Sequence, residues 1–138
     1  MTINYKTFTK TVALVALAST LINIALTYVG RMISSPPTAF GPYMYSSVII
    51  LTVVGVVAAG VVYIAMRKYF ADVARANYLF LILSAIVLVV SFYPDVMLPY
   101  STDSDQVGWT YGIMANLILM HVVAAVLVMY YFVRPERS

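Results

Sequence analysis

Cysteine is absent and histidine occurs once, at His121. Without thiols the chain forms no disulfide, holds no iron–sulfur cluster and runs no thiol chemistry. A lone imidazole cannot supply two axial ligands within one chain. A haem or metal would need a symmetric dimer, or a His–Met pair with Met114 or Met120, and no cofactor or metal is expected. Charge is equally scarce. Asp, Glu, Lys and Arg make up 9% of the residues, against about 25% in soluble domains. Polar stretches are too short to fold as a soluble domain. No hydrolase triad, phosphate-binding loop or metal-ligand cluster occurs, and the chain reads as a non-enzyme.

What is present is hydrophobic: 63% of the residues are apolar and the mean hydropathy is +0.94. Four apolar runs stand out, at 11–30, 44–66, 77–97 and 109–133. Each reaches the roughly 20 residues that cross the hydrocarbon of a bilayer. Their Val- and Ile-rich composition would favour strands in water. In lipid every backbone group must be satisfied within the segment, so runs of this length are helices. The start of the first run, Lys6 and Lys10 followed by an apolar stretch, has the form of a signal peptide ending at Ala18. Its apolar character continues to Gly30, which favours a spanning helix.

The charges orient the spans. With 8 Lys and Arg against 5 Asp and Glu the chain is basic, but placement explains this without nucleic acid. Lys6, Lys10, Arg67, Lys68, Arg75, Arg134 and Arg137 fall on one side of alternating helices. Arg31, Asp95, Asp103 and Asp105 fall on the other. The positive-inside rule then makes both termini and the 67–76 connection cytoplasmic. Tyrosines gather at both ends of the spans, Tyr28, Tyr43 and Tyr45 among those at the outer ends and Tyr63, Tyr69 and Tyr130 among those at the inner ones, as interfacial aromatic belts do. The Pro-rich segment 33–42 predicts a stiff, extended outer loop. Residues 100–108 form an acidic outer loop, and 67–76 prolongs the second helix before turning. Short connections make consecutive helices antiparallel, so the expected fold is an all-α, up-down-up-down four-helix transmembrane bundle forming a single domain over 1–138.

Polar side chains within spans face protein more often than lipid. Ser19, Asn23 and Thr27 form one stripe with Thr20 beside it. Ser84, Ser91 and Asp95 share a face of the third helix. Gly108, Gly112 and Asn116 precede His121 on the fourth. Counting helical rise from the outer ends places Asn23, Ser91 and Asn116 about 9–11 Å deep, and His121 about 18 Å deep near Thr20 and Ser84. The expectation is an outward-opening polar crevice narrowing to His121. Gly55, Ala59 and Gly60 present a small-residue face for close helix packing. Pro94 closes the third helix, and Asp95 beside it is expected to cap freed backbone groups, pair with Arg31 or bind a cation. Asp95 and His121, on different helices and at different depths, are not expected to meet as an acid–base pair.

The third helix ends in "SFYPD" and the fourth carries "MHVVAA". Together with four spans and a Pro/Gly-containing first outer loop, these resemble a family of small bacterial and archaeal membrane proteins catalogued only as a domain of unknown function. The resemblance covers nearly the whole chain. It implies a multi-pass protein of a prokaryotic cell membrane, with Ser91, Pro94, Asp95 and His121 as signature positions, and it implies no reaction or cofactor. Two functions follow as expectations. The first is an accessory or scaffold subunit that contacts lipid and either other membrane subunits or further copies of itself. The alternative is a binding or transport module for a lipid, quinone or other small apolar molecule, using Asn23, Asn116 and His121 as hydrogen-bonding groups.

Overall fold

A computed structural model of the chain describes residues 4–134. Four long helical spans carry the fold: α1 (Tyr5–Ser34), α2 (Tyr45–Tyr69), α3 (Val73–Ser91) with its continuation, and α5 (Tyr111–Val133). After a one-residue interruption at Phe92 the third span continues as α4 (Tyr93–Met97) and a 3-10 turn to Tyr100. All four are long and apolar enough to cross a membrane. Arg137, counted among the cations above, lies outside the described residues.

Local chemistry sets the helix ends. Asn4 caps α1 by accepting a hydrogen bond from the Thr7 amide at 3.2 Å, and Asp72 caps α3 by accepting from Ala74 at 3.0 Å. The Thr110 hydroxyl caps α5 by accepting from Ile113 at 3.2 Å. Each side-chain oxygen takes one of the amides that a helix start leaves unpaired. The caps explain why α1 and α3 begin earlier than their apolar runs, since capped polar turns extend helices past the hydrocarbon.

The spans form a ring in the order α1, α2, α3, α5. α1 packs along both α2 and α5, α3 leans on α2 and α5, and α2 also touches α5 across the diagonal. The bundle has a proximal end, which carries Asn4 and Arg134, and a distal end. Proximally, Phe8, Tyr63, Phe80 and Phe132 make an aromatic cluster with ring centroids 5.0–6.1 Å apart. The Tyr63 hydroxyl donates to Asn77 Oδ1 at 2.8 Å and accepts from Arg67 at 3.0 Å. Asn77 in turn donates to the Val133 carbonyl at 3.4 Å, tying α2, α3 and α5 together.

The distal end differs from expectation. Segment 33–42 is not an extended strap. Ser35 turns in the left-handed region, and a 3-10 turn at Gly41–Tyr43 drives Phe40 and Tyr43 into the bundle, where both are fully buried with Leu98 and Ile113. Two large rings outweigh the stiffness of the Pro-Pro pair, since burying them removes extensive apolar surface from water. The two distal loops pack together: a Cβ on Gly41 would collide with the Asp105 carboxylate. Gly108, at φ +95°, takes a backbone shape that side chains disfavour and approaches the Pro37 ring.

The small-residue face of α2 splits in two. A Cβ on Gly60 would lie 3.0 Å from Val12, and Ala59 packs against the proximal core. A Cβ on Gly55 would meet nothing within 4 Å. The expected close packing at Gly55 is therefore not made within the chain, because α3 and α5 stand back from α2 at that level.

Candidate ligand groove and the Asp95–His121 pair

The space beside Gly55 is a groove of about 620 Å³ between α2, α3 and α5, within the range of small-molecule sites. Leu51, Gly55, Ala58 and Val62 of α2 line one side, with Leu83 and Val87 of α3 opposite. All six are exposed at the bundle surface. Met120, Ala124 and Val128 of α5 form the floor, and Asn23 of α1 reaches it from behind. From Val48 to Val62 the groove follows α2 for about 21 Å of helical rise. Pro42 lines its distal end, and the buried Phe40–Tyr43 turn fills the bundle's mouth. The crevice expected from the sequence thus opens sideways between α2 and α3 rather than outward.

The groove is apolar except at Asp95, His121 and a few hydroxyl and amide groups. Asp95 does not cap a helix end beside Arg31. Arg31 donates from Nε and Nη2 to the Tyr43 carbonyl, at 3.3 and 2.8 Å. Asp95 Oδ2 instead lies 3.2 Å from His121 Nδ1, the two side chains being 9% and 39% exposed. Two effects bring them together. Pro94 sits in the first turn of α4, where no amide is needed, so the span runs on to Tyr100 and Asp95 lies deeper than a helix ending at 97 would place it. Cα–Cβ bonds also tilt toward a helix's N-terminus. In antiparallel spans Asp95 therefore leans proximally and His121 distally, closing the remaining gap.

Of the partners a neutral His121 can expect at that depth, Thr20, Ser84, a backbone carbonyl or a trapped water, the structure supplies the backbone carbonyl. His121 Nδ1 lies 3.0 Å from the Leu117 carbonyl one turn back. Thr20 keeps a buried hydroxyl with no partner. The Asp95 contact is close but off the N–H axis, and Oδ2 is buried without an aligned donor. Phe92 packs edge-on against the imidazole at 6.5 Å.

Asn23, Ser91 and Asn116 do not form one shared layer. Asn23 donates to the Thr52 hydroxyl at 3.1 Å and leaves Oδ1 buried and unpartnered. The Ser91 hydroxyl bonds the Leu88 carbonyl of its own helix at 2.7 Å. Asn116 faces away from the groove, donating to the Leu26 carbonyl at 3.1 Å and to Tyr43 Oη at 2.8 Å. Burial holds the Tyr43 phenol above its ordinary range, against the opposing effects of the Asn116 bond and the Arg31 charge. Gly30 makes room for this cluster: a Cβ there would lie 2.5 Å from Asn116 Nδ2 and 2.6 Å from Tyr43 Oη. Gly30 and Tyr43 were not legible as site residues. The only signal is Gly30 continuing the Asn23–Thr27 stripe by three residues.

Among the described residues no group of three or more His, Asp or Glu side chains is placed to hold a metal ion. Four membrane-length apolar helices around a lateral groove define a small multi-pass membrane protein of the helical-bundle class. Residues 4–138 match the family of unknown function DUF6069, and the chain belongs to it. No curated protein and no solved structure matches the chain.

Proposed function

We propose that the chain is a membrane-embedded binding protein whose lateral groove takes an elongated apolar molecule with a polar end directly from the bilayer. The observation that carries this reading is the groove itself, an apolar trough of about 620 Å³ with Asp95 and His121 at one level of its wall. An ionisable pair among apolar side chains in a spanning segment is costly to keep, and a ligand headgroup gives it a use. The cations Lys6, Lys10, Arg67, Lys68 and Arg75 at the proximal end favour placing that end in the cytoplasm of a prokaryotic cell, which puts the Asp95–His121 level nearer the outer leaflet. The Ser91 hydroxyl is bonded to the Leu88 carbonyl and His121 to the Leu117 carbonyl rather than to each other, so binding or carriage is the role proposed. Gentle purification followed by native mass spectrometry tests this. The wild-type chain should carry a bound amphiphile of constant mass that Gly55→Leu, which fills the groove, removes. Wild type without an adduct refutes the reading.

The accessory-subunit role is the second reading, favoured by one observation: Gly55 faces open space that a partner's helix can fill. Under that reading the native spectrum shows a protein partner or a second copy, lost in Gly55→Leu, and no small molecule.

A further inference from the structure

The chemistry of the pair narrows the ligand. His121 Nδ1 faces two acceptors, the Leu117 carbonyl at 3.0 Å and Asp95 Oδ2 at 3.2 Å. A bare lone pair there would point at oxygen, so Nδ1 carries the proton. In a neutral ring Nε2 is then an acceptor. Nε2 has no hydrogen-bond partner among the described residues and is not among the buried polar atoms left unpaired, so it is an accessible atom of a side chain that lines the groove.

Asp95 is 6% exposed and lines the same groove; its Oδ2 is buried against His121, and Oδ1, which has no hydrogen-bond partner among the described residues, is the oxygen a ligand can reach. An isolated carboxylate in such surroundings must be neutralised by a proton or a cation. No lysine or arginine lines the groove, and Arg31 is committed to Tyr43. Two arrangements remain. With both groups neutral, Nε2 accepts and the Asp95 hydroxyl donates. With the proton moved to the imidazole, Nε2–H donates and the carboxylate accepts. Either way the pair has no net charge and shows one donor beside one acceptor. A phosphate would bring a negative charge with no cation to meet it. A hydrocarbon would leave both groups unsatisfied.

Resting on the groove-binding reading, we propose that the ligand is an uncharged, elongated amphiphile whose headgroup both donates and accepts a hydrogen bond, of the long-chain alcohol or hydroquinone type, with the headgroup on His121 Nε2 and Asp95.

Because His121 is the only histidine, a ¹⁵N-histidine spectrum of the full chain in phosphatidylcholine nanodiscs reads this site alone. The proposal expects a protonated Nδ1 and an Nε2 resonance that moves saturably with 1-hexadecanol or decylhydroquinone. The probe that moves it identifies the source. Hexadecane should not move it, and dipalmitoyl phosphatidic acid should move it less than either. A phosphatidic acid response as large as the alcohol's overturns the proposal. Native mass spectra of the same samples separate the two levels. Adducts with several probes but an unmoved Nε2 overturn the headgroup assignment and leave groove binding standing. No adduct with any probe overturns both. His121→Phe should weaken 1-hexadecanol retention about three- to tenfold, the effect of one buried hydrogen bond. If that variant does not fold, Asp95→Leu, which removes the pair's other hydrogen-bonding group, should do the same. Unchanged retention in a folded His121→Phe protein also overturns the proposal.

Discussion

Replacing Gly30 by alanine should destabilise the bundle, and the same change at Gly55 should not. A Cβ on Gly30 would lie 2.5 Å from Asn116 Nδ2 and 2.6 Å from Tyr43 Oη. Both atoms end side chains, but neither can swing freely. Asn116 is held by bonds of 3.1 and 2.8 Å, and Tyr43 is 0% exposed. Relief therefore means overpacking strain of about 1–3 kcal/mol together with loss of two hydrogen bonds at about 0.6 kcal/mol each within a membrane. At Gly55 the new methyl meets nothing within 4 Å. Alanine's helix-propensity gain of up to about 1 kcal/mol over glycine applies to both positions and cancels between them. Gly30→Ala should thus be about 2–4 kcal/mol less stable than Gly55→Ala. Reversible unfolding in mixed dodecyl maltoside–SDS micelles, followed by circular dichroism, measures the difference. Equal stabilities, or Gly30→Ala the more stable, would refute the packing around Asn116 and Tyr43.

Three further outcomes are expected. Burial raises the Tyr43 phenol above its ordinary range, so folding favours the protonated phenol. Its contribution is intact below pH about 10, where the unfolded phenol titrates, and is lost as pH rises toward the folded value. Unfolding free energies measured above pH 10 should fall less steeply in Tyr43→Phe. Tyr63→Phe removes a hydroxyl that bonds Asn77 and Arg67 and should cost about 1–3 kcal/mol in the same unfolding assay; a neutral effect would show that the proximal network is dispensable. In intact cells an impermeant maleimide should label Ser104→Cys and spare Asp72→Cys, and the reverse pattern would invert the proposed topology.

The spans were legible because hydrocarbon length and backbone satisfaction leave no other solution for runs such as 44–66. Asp95 and His121 stood out individually for the same reason, as ionisable groups where ionisable groups are expensive. Their meeting was not legible. It depends on the third span running past Pro94 to Tyr100 and on the opposite tilts of side chains in antiparallel helices, and residue-by-residue depth counting captures neither. Helix rotation was hidden as well. Asn116 and Asn23 sit at comparable heights, yet one serves the Tyr43 cluster and the other the groove wall. Gly55 looked like Gly60 in the sequence. Only the distance between α2 and its neighbours separates a packing glycine from a groove glycine. The Pro-rich loop concealed its two buried rings because Pro-Pro and Gly-Pro signal local stiffness and carry no information about where Phe40 and Tyr43 dock.

The proposed ligand site is the space beside Gly55, with the Asp95–His121 pair as its polar end. A high-resolution density map of the chain in nanodiscs of its native lipids would show whether the site is occupied. Elongated density is expected along α2 between Val62 and Leu51, its polar end within hydrogen-bond distance of His121 Nε2. A groove closed by α3 against α2, with Nε2 bonded to protein, would contradict it.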